Sequence, residues 1–234
     1  RDLHQLLRRQ RQMCIRDRSI LLVHGAWHGA WCWNLVEKEL KNKGVDARSL
    51  NLPFTGVNDD IASVSNVLED IDNQVILLGH SYGGIVISSA AEAKENVDQL
   101  IYLSAILLEP GESMHLDGSK IQIDVDANLI SEVKKSSAIP AFYGDVDPKL
   151  AKASIELLRP FPIVSGSQGI GEAWREKHST YIVCREDKAI PPELQYVMAK
   201  KADRIIEWEC GHSPFLSKPK LVIDLLLNLA SSTD

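Results

Sequence analysis

The sequence predicts an α/β fold, in which a mostly parallel, doubly wound sheet carries a small helical cap insertion. Three observations support this fold class. Apolar runs of strand length alternate with amphipathic runs of helical length from Ser19 onward. The alternation lapses over residues 108–178, and at residues 74–93 an apolar run leads through a glycine-rich turn into a helical run. Together they predict one core in two segments, 19–107 and 179–234, with residues 108–178 as the cap insertion.

The composition is that of an ordinary globular protein. The 234 residues are 44% hydrophobic and 25% charged, with a formal net charge of −6. This acidic balance gives no reason to expect nucleic acid or an anionic membrane as a partner, and no apolar run reaches the roughly 18 residues of a membrane span. We expect reduced thiols, a cytoplasmic location, and no metal or cofactor, because the cysteines show no C-x-x-C or metal-ligand spacing. The four cysteines are Cys14, Cys32, Cys184 and Cys210.

The first 18 residues differ from the rest of the chain. They hold six arginines against two acidic residues, and one interpretation is an arginine-rich helix that binds a partner. A different interpretation is favoured, because residues 12–18, Gln-Met-Cys-Ile-Arg-Asp-Arg, resemble translated sequencing-adapter read-through. We therefore expect residues 1–18 to be a non-native tail and the domain to start near Ser19.

Two rules assign the elements of the N-terminal half. Short apolar runs indicate buried strands, and apolar residues spaced three and four apart indicate helices. These rules predict strands at residues 19–24, 45–50 and 74–78, and helices at residues 31–43 and 59–71. In the first helix Leu35, Val36 and Leu40 have helical spacing, and Gly44 is the expected stop.

The C-terminal half continues the pattern after the insertion. The same rules predict strands at residues 97–107, 180–184 and 204–208, and helices at residues 193–201 and 218–229. Residues 108–178 hold helical fragments, glycines, prolines and several aromatic residues. A long insertion of this kind in a compact domain is more often functional than a passive linker. We expect it to cover the carboxyl edge of the sheet, where open α/β sheets bind ligands.

Residues 79–83, Gly-His-Ser-Tyr-Gly, place a serine between two glycines at the predicted strand-to-helix turn. This order describes a nucleophile elbow, in which a tight turn keeps the Ser81 hydroxyl clear of the backbone. The helix that follows directs backbone N–H groups at the reacting centre. Because the pattern also occurs by chance, the interpretation depends on partner residues further along the chain.

A serine hydroxyl needs a base to take its proton, and the base needs an acid to orient it. On doubly wound sheets these partners follow in the order Ser, acid, His. Here the strand at residues 180–184 leads to Glu186 and Asp187, and His212 lies past the last strand. We predict Asp187 as the acid, because it is shorter and later in the loop, and Glu186 stays the alternative. A surface histidine bonded locally is the alternative for His212.

The transition state also needs donors for the developing oxyanion. The backbone N–H groups of Ala26, after the first strand, and of Tyr82, after the nucleophile, are predicted to supply them. Large apolar and aromatic side chains of the cap, with one from the loop opposite, are candidate pocket walls that suit an uncharged apolar or aryl substrate. They are Trp27, Leu108, Phe142, Tyr143, Phe161 and Trp174. Each of them could equally belong to the core of the cap.

Two segments resemble the α/β-hydrolase superfamily. Residues 23–33, Val-His-Gly-Ala-Trp-His-Gly-Ala-Trp-Cys-Trp, together with the Ser81 elbow, look like the branch of plant methylesterases, hydroxynitrile lyases and bacterial esterase-like hydrolases. Residues 181–191, Tyr-Ile-Val-Cys-Arg-Glu-Asp-Lys-Ala-Ile-Pro, are similar to the same branch. The resemblance implies an α/β-hydrolase fold, with Asp187 as the acid. Residues 52–55 and 158–160 resemble the bacterial members in particular.

Two positions separate esterases from lyases within this branch. Hydroxynitrile lyases carry a threonine where this chain has Gly25, and a lysine after the catalytic histidine, where this chain has Ser213. The resemblance therefore implies hydrolysis of a small-molecule ester through an acyl-enzyme on Ser81, and disfavours cyanohydrin cleavage. Dehalogenases and epoxide hydrolases of this superfamily use an aspartate at the nucleophile position, so they are disfavoured too. A small-molecule receptor of the same fold, with slow or absent turnover, stays the alternative.

Overall fold

The computed structural model describes residues 18–113, 115–166 and 168–231. Within these residues, nine strands form two sheets. The strands are β1 (Arg18–Val23), β2 (Ala47–Ser49), β3 (Gln74–His80), β4 (Val97–Leu103), β5 (Ile123–Val125), β6 (Ile130–Val133), β7 (Phe161–Pro162), β8 (His178–Cys184) and β9 (Arg204–Trp208). Residues 1–17, which fall in the predicted non-native tail, lie outside the described residues.

The central sheet has six strands in the order β2-β1-β3-β4-β8-β9, and all their pairings are parallel. The chain runs from β1 to one outer strand, β2, returns to β3 and continues to the other outer strand, β9, so the sheet is doubly wound. The predicted α/β fold with a mostly parallel sheet is therefore confirmed. The carboxyl ends of the strands lie at one edge, where the loops after β1, β3, β8 and β9 meet.

Helices cover both faces of this sheet. In the described residues they are α1 (Asn34–Asn42), α2 (Val57–Glu69), α3 (Gly83–Ala90), α4 (Lys135–Phe142), α5 (Pro148–Ile155), α6 (Pro192–Ala199), α7 (Pro214–Ser217) and α8 (Pro219–Ser231). The first helix begins at Asn34 rather than at residue 31, because Ala30–Trp33 forms a separate 3₁₀ turn. None of the described helices has the length and apolar character needed to cross a membrane.

The sheet is buried between two hydrophobic layers. Successive residues of a strand point to opposite faces, so Leu21 and Leu77 lie in one layer while Ile20 and Ile76 lie in the other. Helices α2, α3 and α6 close the first layer, and α1 and α8 close the second. Because both faces are covered, the four inner strands β1, β3, β4 and β8 are buried along most of their length. The edge strands β2 and β9 are more exposed.

Two strand boundaries differ from the predicted ones. Strand β4 ends at Leu103 rather than at residue 107, because Ser104 has a φ of 44° that interrupts the extended backbone. Strand β1 begins at Arg18, one residue before the predicted start of the domain. The Arg18 guanidinium donates to the Leu229 carbonyl at 2.9 Å and forms an ion pair with Asp98 at 2.9 Å.

The described residues of the predicted cap, 108–178, form a mixed structure rather than a helical one, and the last of them, His178, already belongs to β8 of the central sheet. Strands β5, β6 and β7 form a small antiparallel sheet beside helices α4 and α5. The hairpin between β5 and β6 turns at Asp126, whose Oδ1 accepts from Asn128 N and Ile130 N at 2.9 Å each. Aspartate and asparagine favour such turns, but strands of two to four residues are too short to show a clear alternation in sequence.

Candidate active site

Ser81 lies at the turn between β3 and α3, where the backbone is strained. Its φ of 53° is in the left-handed region, which residues other than glycine rarely adopt. The Ser81 carbonyl accepts from Ile106 N at 2.9 Å and from Gly84 N at 3.0 Å, and these bonds hold the turn. A serine on a sharp, strained turn between a strand and a helix has the local geometry of a nucleophile elbow.

Close packing explains the glycines around this turn. A Cβ at Gly79 would lie 2.6 Å from the carbonyl oxygen of Gly83, and a Cβ at Gly84 would lie 2.4 Å from that of Ile106. Both distances are far shorter than a van der Waals contact. A side chain at either position would therefore push α3 away from the strand and loop against which it packs.

Asp187 follows β8, and its carboxylate accepts hydrogen bonds on both oxygens. Ala189 N and Ile190 N donate to Oδ1 at 2.7 and 3.0 Å. Gln195 Nε2 donates to Oδ2 at 2.8 Å, and so does the hydroxyl of Ser104. The side chain is fully buried, and these donors offset the cost of removing a carboxylate from water.

His212 lies on the loop after β9, in contact with Asp187. Its Nδ1 is 2.7 Å from Asp187 Oδ2, and both side chains are buried. Because a carboxylate accepts hydrogen bonds, Nδ1 carries the proton, and Nε2 is the ring nitrogen that can act as a base. The His212 carbonyl accepts from His80 Nε2 at 2.8 Å, which holds the loop in place. Glu186, the alternative acid, is exposed, so the fold brings Asp187 rather than Glu186 to this histidine.

Ala26 and Tyr82, the predicted oxyanion residues, line the same cavity as Ser81. Within the described residues, neither backbone N–H group donates a hydrogen bond, so no protein acceptor there competes for them. The loop that carries Ala26 lies against the nucleophile, since a Cβ at Gly25 would be 2.7 Å from the Cβ of Ser81. This close approach depends on the missing side chain at residue 25.

Three further histidines around the site are buried and uncharged. Burial lowers the pKa of His24 to about 4 and that of His28 to about 3, and it lowers the pKa of His80 well below its usual range. His24 Nε2 accepts from Leu52 N at 3.0 Å, and His28 Nε2 accepts from the Tyr143 hydroxyl at 2.9 Å. These histidines therefore link loops as neutral hydrogen-bonding groups.

A cavity of about 440 Å³ opens beside Ser81, between the sheet and the cap. Its apolar walls include Trp27, Ile106, Ile121, Ile123, Phe161, Ile163 and Ile190. One segment of the cap adds the polar side chains of His115, Asp117 and Ser119, and no lysine or arginine is among the described residues that line the cavity. In the part of the chain that the structure describes, no group of three or more His, Cys, Asp or Glu side chains could hold a metal ion.

The six predicted pocket residues fall into two groups. Trp27 and Phe161 line the cavity, and their ring centroids are 5.4 Å apart. The other four are not among the described lining residues and are buried in the two hydrophobic layers; they are Leu108, Phe142, Tyr143 and Trp174. The Phe142 ring, for example, packs 5.6 Å from the ring of His212. Hydrophobicity in a sequence does not distinguish a cavity wall from a core residue.

Ser104 and Gln195 belong to the site but carry no motif that predicts it. Ser104 stands in an apolar run predicted as a strand, and Gln195 stands in a predicted helix. The Gln195 amide accepts from Cys184 N at 2.9 Å and donates to the Ile190 carbonyl at 2.7 Å, besides its bond to Asp187. The one hint in the sequence is Ser104, a polar side chain inside an otherwise apolar run, because polar groups are buried only with hydrogen-bonding partners.

The model of the alpha/beta hydrolase family matches residues 20–225, a range that includes Ser81, Asp187 and His212. The chain belongs to the alpha/beta hydrolase family. Among relatives of this alpha/beta hydrolase, the alpha/beta hydrolase nvfD of Aspergillus novofumigatus (strain IBT 16806) is 28% identical over 91% of this chain and 96% of its own length. Methylesterase 1 of Arabidopsis thaliana is 27% identical over 92% of this chain and 97% of its own length.

Solved structures agree with this assignment of the fold. A pyrethroid hydrolase from Sphingobium faniae JZ-2 matches with a TM-score of 0.80 and 23% identity, over 92% of this chain and 98% of that one. The predicted superfamily and its methylesterase-like branch are confirmed by the family match and the esterase relatives. The likeness to bacterial members and the adapter origin of the first residues stay predictions.

Proposed function

We propose that this alpha/beta hydrolase cleaves a small, uncharged carboxylic ester with an apolar or aryl group, through an acyl-enzyme on Ser81. The observation that carries the proposal is the buried 2.7 Å hydrogen bond between His212 Nδ1 and Asp187 Oδ2, at the sheet edge where Ser81 sits on its strained turn. A histidine oriented by a carboxylate is the base that a serine nucleophile requires. Esterases among the relatives support the same reaction class.

In the first half of the reaction, His212 Nε2 takes the hydroxyl proton of Ser81 as Oγ attacks the ester carbonyl carbon. The Oγ–C bond forms, and the carbonyl oxygen gains the negative charge that the N–H groups of Ala26 and Tyr82 stabilise. Protonated His212 then gives its proton to the alcohol oxygen as the C–O bond breaks. Asp187 orients the imidazole and stabilises its protonated form.

In the second half, water replaces the alcohol. His212 takes a proton from the water as its oxygen attacks the acyl carbon, and the same two N–H groups stabilise the oxyanion again. The acyl–Oγ bond then breaks, the proton returns to Ser81, and the acid leaves. Ser81 and His212 are thereby restored, so no cofactor is needed for the cycle.

The character of the cavity supports an uncharged substrate. A volume of about 440 Å³ suits a small organic ester. The isoleucine and aromatic walls favour an apolar or aryl group, with Trp27 and Phe161 supplying the aromatic surface. The described lining residues offer no cation to pair with an anionic ester, and the Asp117 carboxylate opposes one.

Two positions support ester hydrolysis over cyanohydrin cleavage. A threonine side chain in place of Gly25 would begin with a Cβ only 2.7 Å from that of Ser81, so it would displace the nucleophile. Ser213, which follows His212, is buried and carries no positive charge to hold a cyanide leaving group. Both positions therefore differ from those of the hydroxynitrile lyases.

A panel of p-nitrophenyl esters tests the proposal. The wild type is expected to release nitrophenol, and Ser81→Ala is expected to lower kcat by at least about 10³-fold, because the nucleophile is lost. Ser88→Ala is the matched control. It removes a buried hydroxyl on α3 that bonds to the Gly84 carbonyl and the Tyr102 hydroxyl, and it is expected to leave kcat nearly unchanged.

Two outcomes would contradict the hydrolase. They are equal activity of the wild type and Ser81→Ala, and no release of nitrophenol from any ester of the panel. Esters that bind without being cleaved would favour the small-molecule receptor. The charge of the substrate is tested separately by comparing p-nitrophenyl butyrate with the anionic mono-p-nitrophenyl succinate, and the neutral ester is expected to have the higher kcat/KM.

A further inference from the structure

No step of the proposed reaction uses Ser104, although its hydroxyl lies within the site. The hydroxyl donates to Asp187 Oδ2, the oxygen that also accepts from His212 Nδ1 at 2.7 Å. The Ser104 oxygen is 3.3 Å from His212 Nδ1 as well. At most 2% of each of these three residues is exposed. Bulk water therefore does not compete for these contacts.

The backbone holds the Ser104 hydroxyl in place at a conformational cost. Ser104 has a φ of 44°, in the left-handed region, at the point where β4 ends. Strain of this kind persists only where the surrounding structure enforces it, and it is concentrated at functional sites. Ser104 N donates to the Ile182 carbonyl at 2.9 Å, which ties the residue to β8, the strand that leads to Asp187.

Asp187 Oδ2 has more donors than lone pairs. The Ser104 hydroxyl, Gln195 Nε2 at 2.8 Å and His212 Nδ1 at 2.7 Å all point to this one oxygen, and a carboxylate oxygen offers about two lone-pair sites. The donors therefore share its negative charge, and each one that it accepts weakens its bonds to the others.

We propose that Ser104 is a positioning residue that shares Asp187 Oδ2 with His212. By sharing this oxygen it makes the protonated form of His212 less stable. The inference rests on the proposed function, since the base strength of His212 matters when it acts on Ser81. A less stable protonated form helps His212 act as a general acid, because the proton taken from Ser81 must then pass to the leaving alcohol. Without the Ser104 hydroxyl, the carboxylate stabilises the protonated ring more strongly.

The other ionisable groups that face His212 are unchanged by a substitution at Ser104. A neutral histidine of β3 packs against the His212 ring, a second neutral histidine in the loop after β1 interacts with it electrostatically, and four charged side chains line a polar cavity that also includes His212. They are His28, His80, Asp145, Arg185, Glu186 and Lys188. A change in pH dependence on removing the Ser104 hydroxyl therefore reports on the shared carboxylate.

The experiment measures how the rate of Ser81 phosphonylation by a small fluorophosphonate depends on pH. In that reaction the Oγ–P bond forms, the P–F bond breaks, fluoride leaves and His212 takes the proton. In Ser104→Ala the acidic limb of the profile is expected to move to higher pH by about 0.5 to 1 unit. The plateau kcat for an alkyl ester, whose leaving alcohol must take the proton from His212, is expected to fall about fivefold, the factor for one ordinary hydrogen bond.

Three variants separate the hydroxyl from the fold. Ser104→Gly removes the same hydroxyl but relieves the backbone strain, so a shift shared with Ser104→Ala comes from the lost hydrogen bond. Ser104→Cys supplies a weaker donor and is expected to give a smaller shift in the same direction. Ser88→Ala, which removes a buried hydroxyl elsewhere, is expected to keep the wild-type profile.

An acidic limb that stays at the wild-type pH in both Ser104→Ala and Ser104→Gly overturns the proposal, and so does a shift to lower pH. Failure of the proposed function looks different. If the protein does not turn over esters, the wild type reacts at Ser81 with the fluorophosphonate but releases no nitrophenol from any ester. The phosphonylation profile then still tests Ser104, because it requires no turnover.

Discussion

The carboxyl edge of the sheet and the cap contribute to the site in different ways. Ser81, Asp187 and His212 follow β3, β8 and β9, and the parallel register and buried hydrogen bonds fix where they stand. The cap, which ends where β8 begins at His178, adds apolar walls on short strands and turns, and one polar segment. We therefore expect changes at the edge to affect all substrates alike, and changes in the cap to depend on the substrate.

The largest effect is expected at the edge, from Asp187→Asn. An amide in place of the carboxylate favours the wrong tautomer of His212, so kcat is expected to fall about 10⁴-fold for every ester of a panel. Glu186→Gln makes the same chemical change on the exposed neighbouring side chain and is expected to leave kcat nearly unchanged. Similar losses in the two variants, or a loss that varies from ester to ester, would contradict this division of roles.

A smaller, substrate-dependent effect is expected in the cap, from Ile163→Ala. Ile163 lines the cavity, and shortening it removes apolar contact, so KM for a bulky aryl ester is expected to rise about tenfold while KM for an acetate ester changes little. Val164→Ala is the matched control, because this neighbour is 58% exposed and is not among the described lining residues. Steady-state kinetics on the two esters checks the prediction, and an equal change for both would place Ile163 in a purely structural role.

The same division explains what the sequence can predict. The positions of most central strands along the chain follow from their apolar runs, and Ser81, Asp187 and His212 each stand in a loop that directly follows a predicted strand. The strain at Ser81 and the contact between Gly25 and the nucleophile are consequences of that same turn chemistry. Regular structure and sharp turns are therefore accessible to pattern reasoning.

The cap and the second layer of hydrogen bonds are not accessible in this way. Phe142 and Phe161 are alike in sequence, yet one packs behind His212 and the other lines the cavity. Ser104 acquires its place because β4 ends beside β8, which is a contact between residues distant in the chain. Such roles depend on tertiary packing, and no local pattern of residues encodes them.

An effect on stability rather than on activity is expected where the two regions meet, at His28. His28 Nδ1 donates to the Ala26 carbonyl at 2.9 Å on the sheet side, and Nε2 accepts from the Tyr143 hydroxyl at 2.9 Å on the cap side. Burial lowers the pKa of His28 from its ordinary 6.5 to about 3. Protonation would turn the accepting nitrogen into a donor that faces a hydroxyl already donating to it.

This linkage fixes the sign of the effect on stability. Between about pH 6.5 and pH 3 the unfolded chain binds a proton at His28 that the folded protein does not. The contribution of neutral His28 is therefore complete above about pH 6.5 and declines as the pH falls, by about 1.4 kcal/mol of unfolding free energy per pH unit. In His28→Asn, urea unfolding between about pH 6 and pH 4.5 is expected to show a slope smaller by one proton. His178→Asn, at an exposed histidine, is expected to keep the wild-type slope, and equal slopes in all three proteins would mean that His28 is not held neutral between the two regions.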